Sequence, residues 1–242
     1  MPMRAGKMGA RTSIDEQIYP GFLPGGETGA GGWTVWFTGS GPRTGSHYLY
    51  ARQGGMYVLF QNPMWDYRVF DLDRDIKIVD ATMGQRLNAT NPNLKAFKDR
   101  GGKLILFHGW NDPALAPTGT VDYYESLVAK MGQKDAESFS RLYMVPGMQH
   151  CGGGPGPNSF NSAIKAALEQ WVEQGTKPDK IIATKYKTDG NPAIGVARTR
   201  PLCPYPQVAR HQGLGSIDDA ANFVCQILSC KLFTAPCPTY GS

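Results

Sequence analysis

The chain has 242 residues and a hydrophobic content of 41%, enough for one large domain or for one domain with an appendage. Its net charge of +5 comes from scattered basic residues with no run of five or more, so we expect no nucleic-acid partner. No apolar stretch approaches the length of a bilayer span, so we expect no membrane partner either. The first residues include Arg4 and Lys7 but no apolar segment, and they do not predict a secretion signal.

The first 87 residues contain many turn-forming residues and predict a loop-rich region. Proline and glycine recur in Pro20-Gly-Phe-Leu-Pro-Gly-Gly26, which is typical of turns. Residues 33–38 predict either a short strand or an aromatic surface segment. The glycines and serines of 39–46 do not make a phosphate-binding P-loop, because no Gly-Lys-Ser/Thr follows them.

From Asn88 onward, predicted helices alternate with predicted strands. Apolar residues spaced by three or four predict amphipathic helices at 120–131 and 162–174, and paired glycines end a short helix at 94–100. Short apolar runs predict buried strands, at 103–108, 139–145 and 181–186. This order is typical of α/β folds built from strand–helix–strand units. From Arg200 onward the chain is rich in proline and cysteine and shows little period.

Two of these strands are followed by residues suited to acid–base chemistry. Asp112 follows the strand at 103–108, and His150 lies after the strand at 139–145, in the glycine-rich loop Val145-Pro-Gly-Met-Gln-His-Cys-Gly-Gly-Gly-Pro-Gly156. The gap between them (150 − 112 = 38 residues) leaves room for one helix and one strand. Acid before base is also the chain order of α/β-hydrolase triads. We therefore predict that Asp112 orients His150, which acts as a general base.

Each of these residues also has an ordinary structural interpretation. Asp112 precedes a proline and suits a turn, and His150 suits a loop histidine that bonds to the backbone. His108 ends its predicted strand and is either a competing base or a structural histidine. His47 and His211 lie in segments where no acid stands in an interpretable relation to them.

The sequence does not identify a nucleophile. It contains no Gly-x-Ser-x-Gly elbow, and Ser40, although flanked by glycines, lies in a predicted loop with no strand before it. Cys151 adjoins His150, but adjacent side chains on an extended loop rarely reach each other productively. A metal site is not predicted either, since the five cysteines form no Cys-x-x-Cys pair and the histidines form no His-x-His or His-Glu-x-x-His spacing.

Several separate motifs, in one order, resemble those of the tannase and feruloyl esterase family. They are Asn88-Ala-Thr-Asn-Pro-Asn-Leu94, Gly101-Gly-Lys-Leu-Ile-Leu-Phe-His-Gly-Trp-Asn-Asp-Pro113, Asp122-Tyr-Tyr-Glu125, Tyr143-Met-Val-Pro-Gly-Met-Gln-His-Cys-Gly-Gly-Gly154, Thr199-Arg-Pro-Leu-Cys-Pro-Tyr-Pro206 and Asp218-Asp-Ala-Ala-Asn-Phe223. The resemblance covers about residues 15–225 and implies an α/β-hydrolase fold with an inserted lid domain. It assigns 1–87 to a loop-rich lid remnant, 88–225 to the C-terminal part of the hydrolase domain and its sheet, and 226–242 to a tail of unknown role.

The resemblance also implies roles for individual residues. The family signature is a Cys-Ser, a lone Asp and a His-Cys, so Asp112 and His150 would be catalytic residues of a serine-type carboxylic ester hydrolase. Cys151 would be one half of a disulfide beside the triad, and Cys203 and Cys225 are expected to pair with each other. No role is assigned to Cys230 and Cys237, which have no identifiable family counterpart.

This chain departs from the family pattern because it contains no Cys-Ser dipeptide. We therefore expect the nucleophile and the partner of Cys151 to lie in a missing N-terminal half of the same protein. The family's calcium site would lie there too, so no cofactor is expected in this chain.

The family further implies a small aromatic ester as substrate, with a galloyl-like or feruloyl-like acid. Four tryptophans are candidates for stacking on that acid, with ordinary packing as the alternative: Trp33, Trp36, Trp65 and Trp110. The family and its disulfides imply a secreted or periplasmic protein. The alternative function is a non-catalytic module that binds aromatic ligands or pairs with a separate N-terminal chain.

Overall fold

The computed structural model describes residues 9–227. The strands are β1 (Ala10–Arg11), β2 (Gln17–Tyr19), β3 (Leu104–Gly109), β4 (Ser140–Val145), β5 (Ile181–Tyr186), β6 (Val196–Leu202), β7 (Val208–His211) and β8 (Phe223–Gln226). The α-helices are α1 (Ser46–Gln53), α2 (Leu72–Val79), α3 (Gln85–Leu87), α4 (Lys95–Asp99), α5 (Pro117–Met131), α6 (Gln133–Phe139) and α7 (Asn161–Gln174). Short π- or 3₁₀-helices cover Thr34–Thr38, Gly54–Leu59, Tyr67–Val69, Asp80–Gly84, Pro192–Ile194 and Ala220–Asn222. Cys230 and Cys237 lie outside the described residues, as does nearly all of the predicted tail.

A parallel pair of strands lies at the centre of the α/β region. β3 pairs with β4 in parallel, from Leu104 opposite Ser140 to Gly109 opposite Val145. Parallel strands need a crossover connection, and α5 with α6 supplies it. Because the two strands run in the same direction, the loops that follow them emerge at the same edge of the sheet. The predicted acid and base lie in those two loops.

The core lies on both faces of β4, whose six residues are all buried. Successive side chains of a strand point to opposite faces, which divides β4 between two clusters. Tyr143 and Val145 pack in a cluster with residues of β5, β6 and α7. Leu142 and Met144 pack against the α5 side, and that cluster consists of these two residues with Val121 and Tyr124. Because β4 is packed on both faces, the start of the loop that follows it, which carries His150, is held in place.

Most predicted elements between 94 and 186 are confirmed. The helix predicted at 120–131 begins three residues earlier, because Pro117 suits the first helical position and is itself buried, four residues before the buried Val121. The helix predicted at 162–174 is α7, and the strand at 181–186 matches β5. The strand predicted at 139–145 begins at Ser140, because Phe139 ends α6, a helix that the sequence analysis did not predict.

Several segments differ from prediction. Helices α1, α2 and α3 lie in the region that was predicted to be loop-rich. Residues 34–38 form a π-helix, so the strand alternative for 33–38 is wrong. The aromatic side chains there are partly exposed and pack on neighbouring rings, which agrees with the alternative of an aromatic surface segment. The segment after Arg200, where no period was seen, completes β6 and forms β7 and β8. β6 pairs antiparallel with β5, and β7 pairs antiparallel with β8. Charged residues and a proline within these strands remove the apolar alternation by which strands are recognised.

The C-terminal strands contain the disulfide that the resemblance implies. Cys203, directly after β6, is bonded to Cys225 in β8. The α/β class is also confirmed by the parallel pair and the helices that flank it. The domain boundaries and the assignment of residues 9–87 to a lid remain predictions. Within residues 9–227, no helix has the length and apolar character needed to cross a bilayer.

Candidate active site

Asp112 lies in the turn that leads from β3 into α5. Its own N–H donates to the Gly109 carbonyl at 3.2 Å, which closes the turn. Its carboxylate Oδ1 accepts the N–H groups of Ala114 and Leu115 at 2.7 and 3.0 Å. Short aspartate side chains favour this bonding to backbone two or three residues ahead. Asp112 therefore does form the turn, but the hydrogen bonds of the turn occupy only Oδ1, and Oδ2 is left for other partners.

His150 lies in the glycine-rich loop after β4, which approaches the Asp112 turn closely. The Asn111 N–H donates to the Met148 carbonyl at 3.1 Å, and the Gly147 N–H donates to Asn111 Oδ1 at 3.1 Å. A Cβ on Gly109 would lie 2.2 Å from the Met148 carbonyl oxygen, so only glycine permits this approach. The local sequence thus brings the two loops into direct backbone contact.

The contact between the two loops brings His150, the predicted base, within hydrogen-bond distance of Asp112, the predicted acid. His150 Nδ1 lies 2.9 Å from Asp112 Oδ2. Because an ionised carboxylate only accepts, the neutral imidazole donates through Nδ1–H and keeps its lone pair on Nε2. Within residues 9–227, no hydrogen bond engages Nε2, and the His150 side chain is 33% exposed. The arrangement can remove a proton from a group that approaches Nε2 and then hold the resulting imidazolium next to a carboxylate.

Asp112 is buried and strongly hydrogen-bonded. Burial raises the pKa of its carboxyl group, but hydrogen bonds from His108, His150 and the Leu115 and Ala114 N–H groups outweigh that effect and lower the pKa to about 2. The carboxylate therefore stays charged at neutral pH, as an orienting partner of a general base must.

A second imidazole also bonds to Asp112. His108 Nε2 lies 3.0 Å from Asp112 Oδ2, and His108 Nδ1 lies 2.7 Å from Thr120 Oγ1 in α5. Both ring nitrogens are thus engaged, so His108 is not the competing base that the sequence left open. Its position four residues before Asp112 is visible in the sequence, but the contact depends on how tightly the turn closes.

Residues of the predicted lid lie directly against the two loops. Gln149 is buried, and its side-chain amide donates to the Thr28 carbonyl at 2.6 Å. His47 Nε2 lies 2.8 Å from the Pro113 carbonyl oxygen. Sequence reasoning missed both residues, because each contact joins segments that are far apart in the chain.

The structure separates the four candidate tryptophans. The ring of Trp36 meets the ring of His150 edge to face, with the centroids 5.1 Å apart. Trp33 packs against Phe37. The remaining two pack elsewhere: Trp65 stacks on Phe60, and Trp110 joins the cluster on the α5 side of β4.

Cys151 is an exposed free thiol directly after His150. Its φ of 58° lies in the left-handed region, at the start of the glycine run that turns the loop back. No cysteine of the described residues pairs with it, and its role as half of a disulfide stays a prediction.

Comparison with known proteins identifies the family. A model of the family described as tannase and feruloyl esterase matches residues 10–226. The chain belongs to the tannase and feruloyl esterase family. The resemblance carried by the motifs is thereby confirmed, over almost the whole of the described chain.

Individual members of the family agree with this. An uncharacterized esterase of Xanthomonas campestris is 38% identical, with the match covering 91% of this chain and 44% of the relative. Mono(2-hydroxyethyl) terephthalate hydrolase of Piscinibacter sakaiensis is 48% identical over 64% of this chain and 26% of its own length. Feruloyl esterase B from Aspergillus oryzae superimposes with a TM-score of 0.78 at 25% identity, over 93% of this chain and 44% of that structure. The chain therefore spans less than half the length of these relatives.

Proposed function

We propose that this chain supplies the acid and base of a serine-type carboxylic ester hydrolase. The observation that carries the proposal is the His150–Asp112 pair, in which Nδ1 is engaged by a charged carboxylate, Nε2 has no hydrogen bond to any of residues 9–227, and the side chain is 33% exposed. This is the arrangement in which a histidine accepts a proton from an attacking hydroxyl. The named relatives are esterases and hydrolases, which agrees with that chemistry.

In the proposed mechanism, His150 moves protons in both halves of the reaction. Nε2 takes the proton from a serine hydroxyl as the serine oxygen attacks the ester carbonyl. The imidazolium then gives that proton to the leaving alcohol oxygen, which leaves an acyl-enzyme. In the second half, Nε2 takes a proton from water as the water oxygen attacks the acyl carbon. The imidazolium then returns that proton to the serine oxygen, and the carboxylic acid and the free serine are released. Asp112 stabilises the imidazolium at each stage through the Nδ1–H hydrogen bond.

We propose that the serine comes from sequence N-terminal to this chain. β3 pairs with β4 on one side, and within residues 9–227 no strand pairs with its other side. An unpaired strand edge is suited to pairing with a further strand. The relatives are more than twice as long as this chain where they match it over nearly its whole length. A Cys-Ser segment in that part would bring both the nucleophile and the partner of Cys151.

We propose esters of aromatic acids as the substrate class. The ring of Trp36 lies against the ring of His150 and would form an aromatic wall beside the proposed base. Two relatives are named for feruloyl esters and for mono(2-hydroxyethyl) terephthalate, and each of these holds an aromatic acid. The Cys203–Cys225 disulfide favours an oxidising compartment, so we propose that the protein acts in secreted or periplasmic form.

The test is to co-express this chain with the N-terminal part of the Xanthomonas campestris relative, and to verify by co-purification that the two chains assemble. We expect the assembled pair to hydrolyse ethyl ferulate, and Asp112→Ala and His150→Ala to reduce kcat by at least a hundredfold without preventing assembly. An assembled pair that hydrolyses no aromatic ester would contradict the proposal. So would hydrolysis that persists in His150→Ala.

The alternative is a module that binds aromatic acids without catalysis, and the half-buried Trp36 wall also suits that function. Titration of ferulate into the isolated chain, followed by tryptophan fluorescence, distinguishes the two. Tight binding by the isolated chain with no hydrolysis by the assembled pair would favour the module.

A further inference from the structure

Asp112 is held by more hydrogen bonds than the pairing with His150 requires. Oδ1 accepts two backbone N–H groups, and Oδ2 accepts His150 on one side and His108 on the other, at 2.9 and 3.0 Å. An ionised carboxylate has about four lone-pair sites, so these four donors occupy all of them. With Oδ1 fixed by the backbone, the direction of Oδ2 depends on the donors that it meets.

The hydrogen bonds of His108 also determine its tautomer. The Asp112 carboxylate cannot donate, so the neutral His108 ring carries its proton on Nε2. Nδ1 is then an acceptor, and the Thr120 hydroxyl, 2.7 Å away, donates to it. Thr120 lies in the first turns of α5 and His108 near the end of β3, so both are carried by regular elements. His108 is only 12% exposed, which protects these bonds from water.

We propose that His108, fixed by Thr120, is a positioning residue that holds Asp112 Oδ2 in the direction that His150 Nδ1–H requires. The effect of His108 on catalysis rests on the proposed function. The hydrogen-bond geometry can be tested without it. His108 does not reach the reacting atoms, because both of its nitrogens are already hydrogen-bonded. It meets Asp112, which bonds to Nδ1 of His150, whereas the proposed base nitrogen of His150 is Nε2, across the imidazole ring from Nδ1. It acts on the reaction only through Asp112.

Tautomer states measured by long-range ¹H–¹⁵N NMR test the geometry in the chain as it exists. The chain has four histidines, so single substitutions assign every imidazole. At neutral pH we expect His108 with its proton on Nε2 and His150 with its proton on Nδ1. A His108 ring with its proton on Nδ1 could not donate to Asp112, and that result would overturn the proposal.

Variants then test whether His108 positions the pair. His108→Leu removes the donor, and we expect the single His150 tautomer to become a mixture. His108→Gln keeps an N–H donor in nearly the same place and should restore it, while His211→Gln is a control far along the chain. Thr120→Val preserves the shape of the side chain but removes the hydroxyl that bonds to His108 Nδ1, so we expect the His108 ring to become a mixture of tautomers. This variant keeps the test available if His108→Leu does not fold. A His150 signature unchanged in both His108→Leu and Thr120→Val would overturn the proposal.

In the assembled enzyme we expect His108→Leu to lower kcat about tenfold or more with little change in KM, since a hydrogen bond to a charged group is lost away from the substrate. His108→Gln should recover most of that loss. If the wild-type pair hydrolyses no ester, the proposed function fails, while the NMR spectra still decide the role of His108. A kcat that is unaffected in His108→Leu would overturn the positioning role even with the expected tautomers.

Discussion

The side-chain oxygen of Asn111 accepts the Gly147 N–H at 3.1 Å, which ties the acid-bearing loop to the histidine-bearing loop. The Asn111 amide also donates to the Gly25 carbonyl. One side chain thus joins three segments: the turn after β3, the loop after β4 and the predicted lid. The distance between Asp112 and His150 depends on this junction as well as on their own hydrogen bond.

Replacing Asn111 with alanine should therefore loosen the site without touching the reacting groups. We expect the free energy of unfolding to fall by about 1–3 kcal/mol, because the Gly147 N–H and the Gly25 carbonyl lose their partner. Denaturant unfolding measures this, with the exposed Asn88→Ala as a matched control. Equal stabilities of the two variants would contradict the junction.

Gly109→Ala should be among the most damaging small substitutions in the chain. The new Cβ would lie 2.2 Å from the Met148 carbonyl oxygen, so the histidine loop must move away from the Asp112 turn. We expect a lower melting temperature and loss of the single His150 tautomer. Gly54→Ala is the matched control, because its Cβ meets nothing within 4 Å and its backbone is helical, so it should not destabilise. A melting temperature of Gly109→Ala equal to wild type would contradict the close approach.

Asp112 should make stability depend on pH in the acid range. Its folded pKa of about 2 lies below the ordinary value of 3.8. The stabilisation is therefore complete above the unfolded pKa, and it is lost as the pH falls from about 4 towards 2. The difference corresponds to about 2 kcal/mol. Denaturant unfolding of wild type and Asp112→Asn should give stabilities that converge over this range, and a gap that stays constant from pH 5 to pH 2 would contradict the shift.

Trp36→Ala should affect substrate binding more than the chemical step. Trp36 is the candidate tryptophan whose ring meets His150, so we expect the assembled enzyme to show a severalfold higher KM for aromatic-acid esters. KM for a small acetyl ester should change little. Trp65→Ala is the control, because Trp65 stacks on Phe60 within the predicted lid. An equal rise in KM for aromatic-acid and acetyl esters would contradict a role for Trp36 in binding the aromatic acid.

The α/β part of the fold was predictable because its signals are local. The helix predicted at 120–131 shows its period directly, the strand at 181–186 begins as a short apolar run, and Asp112 and His150 follow apolar runs. The C-terminal strands were missed because β6 finds its partner β5, and β7 its partner β8, through pairings that no local pattern shows, and because many of their residues are charged or exposed. The contact of His108 with Asp112 was out of reach for a different reason: a histidine at a strand end bonds to Asp112 only if the turn closes at Gly109.

On the proposed function, His150 activates a serine that lies in sequence N-terminal to this chain. The measurement that tests it most directly is labelling of the assembled pair with a p-nitrophenyl phosphonate, followed by mass spectrometry to locate the phosphonylated residue. We predict one label per pair, on the serine of a Cys-Ser segment in the N-terminal part, and almost none in His150→Ala. A label within residues 9–227, or labelling that persists in His150→Ala, would contradict the claim.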